Sequence, residues 1–320
     1  MELYIEKEFL DDFYAVYDFF ADYSDEEIKV RLKNVFTEYG AKQVFIDYNS
    51  EDFHQFLKDN TFFEMIASND ISPISVQSIE EDLFKNSNFN QTLVFTQKEK
   101  IWFNKAESMG ALCFTFDNYE EKIKSIINQL HFKIDLSETF NGWDFLDAFS
   151  TINYNKVTIT DGYVLGDKSN QKMSDNIIPI LKKIIISPLN NVSVKFFTKE
   201  LKPLSIDAKH IKEQAKKRCV KFNSLFANFK VNFKIINSDL NAGFDLHDRN
   251  IATNFSLLDS GKGLNLIPHK TSNSQIISKT IFEKYTYNRL NNIISNQNQY
   301  VVNIKKLYPL KFKMYPEINS

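Results

Sequence analysis

The stretch from Leu93 to Phe116 limits the fold more than any other part of the chain. It reads LVFT, then a mostly polar segment over Lys98–Met109, then Gly110, then ALCFTF. Short unbroken apolar runs of this kind suit strands buried on both faces, as in parallel sheets. The intervening segment is too long for a hairpin and fits a crossover helix stopped by glycine. A strand–helix–strand unit in a mainly parallel sheet follows. Other segments repeat the alternation. Glu2–Glu6 and Gln43–Asp47 read as strands. Asp25–Tyr39 reads as a helix behind the cap-like Ser24, with Ile28, Val30, Leu32, Val35 and Phe36 mostly at helical spacing. Phe53–Ala67 predicts one or two short helices. Residues 1–118 are therefore expected to form one α/β domain.

The chain is 320 residues long, enough for two domains. Residues 119–142 read as a connecting helix and linker, and 143–320 as a second α/β domain. There, Val157–Leu165 predicts a strand with a bulge or bend at Asp161-Gly162. Strands are also expected over Val192–Thr198, Phe229–Asn237 and Asn250–Leu258. Helices are expected over Asp175–Ile186, Ala208–Asn228 and Thr280–Ser295. No internal repeat or low-complexity segment stands out. Thirty Phe and fourteen Tyr supply apolar material for real cores. The net charge of −2 makes the whole chain no general attractor of nucleic acid, so any basic surface must be local. No apolar run reaches the ~20 residues of a membrane span, and the acidic opening MELYIEKEFLDDF does not look like a secretory leader. A cytoplasmic protein is expected. Cys113 and Cys219 are too far apart in sequence to form a metal cluster by themselves.

The chemistry-bearing stretch is Leu246–Asn265, LHDRNIATNFSLLDSGKGLN. His247 and Arg249 sit at i and i+2, which on a strand is one face. Asn254 follows five residues after Arg249, and after a spacer of six residues, 255–260, comes the Gly261-Lys262-Gly263 turn. Phospholipase-D-type enzymes place a nucleophilic His, a phosphate-holding Lys and an Asp at this spacing, followed by a Gly-rich turn. Here Arg stands for Lys, and a guanidinium still clamps phosphate through its fork. Asn stands for Asp and brings no negative charge to stabilise an imidazolium. The enzymes also need two facing copies of the motif, in one chain or across a homodimer. The other His-x-Lys, His131-Phe132-Lys133, lacks the turn.

LHDRNI followed by SGKGLNL resembles the C-terminal domain of MIT-domain proteins, a phospholipase-D-like fold. The resemblance rests on His247, Asp248, Arg249, Ile251, Gly261, Lys262, Gly263 and Leu264, and extends loosely over about residues 140–320. It implies a binding module for anionic surfaces without catalytic activity. His247, Arg249 and Asn254 are the candidate catalytic residues if any turnover exists. Arg249 and Lys262 are the anion-binding candidates. The plainer alternative is a buried polar cluster in which His247 and Arg249 bond to carboxylates such as Asp161 or Asp245.

The LVFT–helix–Gly–ALCFTF unit resembles the later half of a PIN-type nuclease domain. That family gathers carboxylates at strand ends around divalent metal. The resemblance implies Glu6, Asp47, Glu99 and Asp117 as candidate metal ligands, and Gln97 stands near where an Asp is expected. Ordinary solvated loop carboxylates are the alternative. No cofactor is expected unless that site is active.

Ala208–Asn228 predicts a helix with an apolar stripe of Ile211, Ala215, Cys219, Phe222 and Phe226. Lys209, Lys212, Lys216, Lys217 and Lys221 gather on the rest, flanked by Arg218. Lys212, Lys216, Lys217 and Lys221 are further anion-binding candidates, for nucleic-acid phosphates or an acidic protein. The expectation from the whole chain is a Rossmann- or PIN-like domain followed by a degenerate phospholipase-D-like domain. It would serve as a non-catalytic binding or scaffold component of a bacterial nucleic-acid-linked system, with an antiviral setting suggested by analogy and other proteins of a complex as partners. The rivals are a phosphodiesterase or nuclease, using the metal site or a dimeric His247 site, and an adaptor on anionic membrane surfaces.

Overall fold

The protein is α/β throughout. A computed structural model describes residues 1–25, 27–40, 42–68, 72–163, 171–186, 191–199, 208–238, 249–261, 263–264, 266–307 and 313–315. The chain divides into two compact units, Met1–Asn128 with Thr280–Asn288, and Gln129–Lys279 with Arg289–Ser320.

The first unit is built on a five-stranded parallel sheet. Its strands are β1 (Glu2–Ile5), β2 (Gln43–Ile46), β3 (Ile74–Ser75), β4 (Thr92–Thr96) and β5 (Ala111–Thr115). They lie in the order β3-β2-β1-β4-β5 and all neighbours run parallel. β1, β4 and β5 are buried along their whole length, which explains their unbroken apolar character. One face packs against α5 (Ile79–Asn86) and α6 (Phe103–Ser108), where Tyr4, Phe45 and Val94 meet Ile79, Leu83 and Phe103. The other carries an aromatic cluster from α1 (Lys7–Val16), α2 (Ile28–Thr37) and the sheet. There Phe95 lies 5.3 Å from Phe9 and 5.1 Å from Phe36, between ring centroids, in tilted and edge-on geometries that rings prefer. Two short helices, α3 (Phe53–Asp59) and α4 (Thr61–Ser68), complete that side.

Helix starts differ from the sequence reading for local reasons. α2 begins at Ile28 because Ser24 spends its carbonyl on the Glu27 N–H in a preceding turn, and Glu27 is the cap residue. α6 begins at Phe103 because Thr96 Oγ1 donates to Lys98 O at 2.7 Å, and Phe103 N–H bonds Lys100 O, so residues 96–102 are a turn. α1 and α5 were not expected. The latter is announced by Ser78, whose hydroxyl caps the Glu81 N–H at 3.3 Å.

Thr280–Asn288 folds with the first unit. Tyr287 stacks on Tyr39 at 4.5 Å, and Tyr39 donates to Ile281 O at 2.9 Å. Phe282 meets Phe114 edge-on. Lys42, nearly fully buried, caps the end of α2 by donating to the carbonyls of Val35 and Phe36.

The second unit holds an eight-stranded mixed sheet, for which the remaining strands are β6 (Phe132–Asp135), β7 (Lys156–Thr160), β8 (Asn191–Lys199), β9 (Lys230–Ser238), β10 (Asn250–Thr253), β11 (Ser256–Ser260), β12 (Gln275–Thr280) and β13 (Lys313–Tyr315). The order is β13-β9-β8-β7-β10-β11-β12-β6. β7, β8 and β9 run parallel, and β10 lies antiparallel to β7. So Val157–Thr160, Val192–Thr198, Lys230–Asn237 and the pieces of Asn250–Leu258 share one sheet. That last segment is two strands joined by a turn at 254–255 and not one strand. Residues 119–142, expected as a connecting helix and linker, hold the helix α7 (Tyr119–Leu130) and the strand β6, which pairs with β12 at the sheet edge.

The expected helix Asp175–Ile186 is a π turn over Met173–Ile177 running into α8 (Ile178–Ile184). Pro179 lacks the N–H an α-ladder needs there. α9 (Ala208–Leu225) covers the next crossover, its Phe222 stacked between Phe196 at 5.1 Å and Phe233 at 5.0 Å. Cys219 is a buried core residue. The last helix is α10 (Lys284–Leu307), where a helix was expected over Thr280–Ser295, because Thr280 closes β12. Among the described residues, no helix is long and apolar enough to cross a membrane.

Burial pushes the Lys42 ammonium down from 10.5 to about 7. Below that value the lysine is charged in both folded and unfolded chains. Between about 7 and the ordinary value the unfolded chain binds the extra proton, so stability rises with pH across this window. The melting temperature of the parent should therefore climb relative to that of Lys42→Met between about pH 6.5 and about pH 9.5. Parallel curves for the two proteins would show that Lys42 is not the titrating group.

Candidate anion-binding site

Arg249 immediately precedes β10, and the register Asn250↔Thr160 sets it beside Asp161, the residue that follows β7. This is the edge where the parallel strands β7 and β8 end, the side on which open α/β sheets take ligands. Asp161 N–H continues the ladder to Phe197 O at 3.0 Å. Its buried carboxylate then accepts from two backbone amides, Tyr163 N–H at 2.8 Å and Leu264 N–H at 3.2 Å. The Asp161-Gly162 bend expected from sequence is thus a carboxylate-capped turn at a strand end.

The glycine turn is fixed from the other side. Arg249 O accepts from Ser260 N–H at 2.9 Å, and Ser260 Oγ donates to Gly263 O at 2.6 Å. Gly263 has φ +91°, and a Cβ there would stand 2.5 Å from Arg249 Cδ. Glycine is needed twice over, for the backbone conformation and for the room the arginine occupies. Arg249 reaches over the Tyr163 ring, its guanidinium carbon 5.2 Å from the centroid, and Lys172 Nζ lies 5.8 Å from the same ring. Tyr163 is 38 % exposed. Arg249 Nε is buried and has no hydrogen-bond partner, and Asp161 makes no ion pair with Arg249 among the described residues. A guanidinium N–H without an acceptor, beside a second cation, is an arrangement an anion would complete.

Other sequence candidates fall elsewhere. His247 and Lys262, with Asp245, Asp248 and Asn265, lie outside the described residues. Asn254 is separated from Arg249 by the four residues of β10, roughly 16 Å at a strand's rise. Its side chain is a turn brace: Oδ1 accepts from Lys156 N–H at 3.0 Å, and Nδ2 donates to Asn155 at 2.6 Å. On α9, Lys216, Lys217 and Lys221 are exposed, whereas Arg218 is buried and does not flank the patch. Lys212 lies in α9, but its side chain is outside the described residues. Tyr163 and Lys172 were missed by sequence reasoning; the Asp-Gly pair two residues from an aromatic was their only signal.

In the first unit, the strand order reverses direction between β1 and β4. Glu6 follows β1 at that point. Its Oε1 lies 2.6 Å from Lys100 Nζ, and its Oε2 accepts from Gln97 N–H at 2.7 Å. Asp47, after β2, accepts from Lys7 N–H at 2.5 Å. Burial raises the Asp47 pKa, opposed by that hydrogen bond and reinforced by the charge of Glu6. Gln97 reaches Asp12 at 2.5 Å, and Lys7 bridges to Asp11. Glu99 and Asp117 are exposed loop residues. Among the described residues no three His, Cys, Asp or Glu are grouped to hold a metal ion. The donor set does not fit a divalent ion, because Lys100 and the Gln97 amide already engage both oxygens of Glu6.

Searches against protein-family models and against curated proteins find no match to this chain.

Gly263→Ala should destabilise the protein by roughly 1–3 kcal/mol, from the left-handed backbone and the collision with Arg249. The loss should be smaller in an Arg249→Ala background, where the collision is gone, and chemical denaturation of the four proteins of that cycle measures the coupling. Additive losses would mean that the two residues do not touch.

Proposed function

We propose that the protein is a non-catalytic binding component that engages phosphate groups of a nucleic-acid-linked system through the Arg249 site. The observation that carries this reading is the buried, unpartnered Nε of Arg249 over the part-exposed Tyr163, with Lys172 on the same ring. Phosphate is the anion best matched to a guanidinium fork backed by a point charge. Binding without turnover is favoured because Asn254 braces a turn and supplies no charge to the site. It is favoured also by the lysine-neutralised carboxylates of the first unit.

Inorganic pyrophosphate and a 5′-phosphorylated dinucleotide serve as probes. Both should raise the melting temperature of the parent, and Arg249→Ala should abolish the rise. Tyr163→Leu should lower the affinity by a factor of about 3–10, from loss of a cation–π contact of ~1 kcal/mol, and so make the rise smaller. Neither parent nor variant should cleave labelled DNA or RNA, with or without Mn2+. Cleavage that disappears in Arg249→Ala, or a phosphohistidine trapped at His247, would replace this reading with the enzyme.

A further inference from the structure

Among the described residues, one face of the parallel strands β7, β8 and β9 is only half covered. On β7, β8 and β9, alternate residues point to opposite sides. Val157, Val194 and Phe233 are matched in register and buried on the side where α9 packs. On the opposite side, α10 covers the rows near the strand ends: Gln297 donates to Thr160 at 3.2 Å, and Tyr300 meets Phe197 at 6.5 Å. The rows nearer the strand starts are different. Lys156, Ser193 and Asn232 form one, and Lys195 and Lys234 stand directly opposite each other in the next. Lys230 precedes them on β9. Lys156, Lys230 and Asn232 are exposed, and Lys195, Lys234 and Ser193 half-buried.

None of the strand residues on this side of β7, β8 and β9 is acidic. Lys195, Lys230 and Lys234 form no ion pair among the described residues. Like charges directly opposite on paired strands destabilise a sheet. Burial pushes the Lys195 ammonium down, and the charge of Lys234 acts in the same direction. A fold that keeps this repulsion gains from a polyanion that relieves it. Successive rows are ~6.7 Å apart, and lysines alternate with hydroxyl and amide donors. That is the mixture of groups that phosphate contacts use, with nothing to read bases. A protein partner would need an apolar centre, which these rows lack.

We propose that this open half-face, which lies apart from Arg249 and does not depend on it, is a sequence-independent contact surface for the phosphate backbone of nucleic acid. The test uses the full chain and a fluorescently labelled duplex of about 20 base pairs with its single strand, titrated at several salt concentrations. The parent should bind, and its affinity should fall steeply with salt. Replacing Lys195, Lys230 and Lys234 together by Gln should lower the slope of log K against log salt by about 2–3 on the duplex. Affinity at low salt should drop at least ~10-fold, the loss that removing about three phosphate contacts implies. The ligand-free variant should melt no lower than the parent, because the repulsion is gone. Lys230→Gln alone, at an exposed position, should lower the slope by about 1 and guards against misfolding of the triple variant. Arg249→Ala should keep the parent's slope to within about 1. An unchanged slope in the triple variant overturns the proposal, as does a parent that prefers phosphatidylserine vesicles to the oligonucleotides. Loss of oligonucleotide binding in Arg249→Ala alone would also overturn it while leaving the Arg249 reading standing.

Discussion

The second unit depends on one buried carboxylate. Asp161 leaves β7 and immediately satisfies two backbone amides, one in its own turn and one beyond the glycine turn at Leu264. A charge-assisted bond of this kind is worth more than an ordinary one, and removing it would leave the buried Leu264 amide without its acceptor. Because the two amides belong to segments a hundred residues apart, the carboxylate fixes where Tyr163 stands relative to Gly263. Arg249 then has a ring on one side and a glycine on the other. The carboxylate's hydrogen bonds go to the backbone and not to the guanidinium.

The two units use charge at their strand ends in opposite ways. In the first, carboxylates converge where the sheet order reverses, but Lys7 and Lys100 come with them, so the positive charges are internal. In the second, the Asp161 carboxylate bonds to two backbone amides, and among the described residues it makes no ion pair with Arg249.

Much of the architecture was legible from local pattern. Unbroken runs such as LVFT and ALCFTF gave strands buried on both sides, because a doubly covered strand has no polar positions to show. What escaped was set by distant partners. Asn250–Leu258 reads as one strand because its polar and apolar residues alternate, yet Asn254 finds Asn155 and Lys156 nearly a hundred residues away and folds the segment into a hairpin. β6 looks like linker because its exposed alternation, FKID, is that of an edge strand with one wet side. At the site, Arg249 immediately precedes β10, and His247 lies outside the described residues. The aromatic platform could not be read, since nothing local ties Tyr163 to Arg249.

The placement of Thr280–Asn288 bears on how the chain comes into being. These residues supply Tyr287, Phe282 and the Ile281 carbonyl to the first unit, whose other residues end at Asn128. A chain made from its N-terminus must therefore emerge by a further 160 residues (288 minus 128) before that unit can be finished. At ordinary synthesis rates the wait is roughly 8–32 s. During that time the edge of β5 at Phe114 and the ring of Tyr39 lack their covering. The strands of the second unit through β12 are made before the first unit closes, so completion of the two units is interleaved in time and cannot run strictly one after the other.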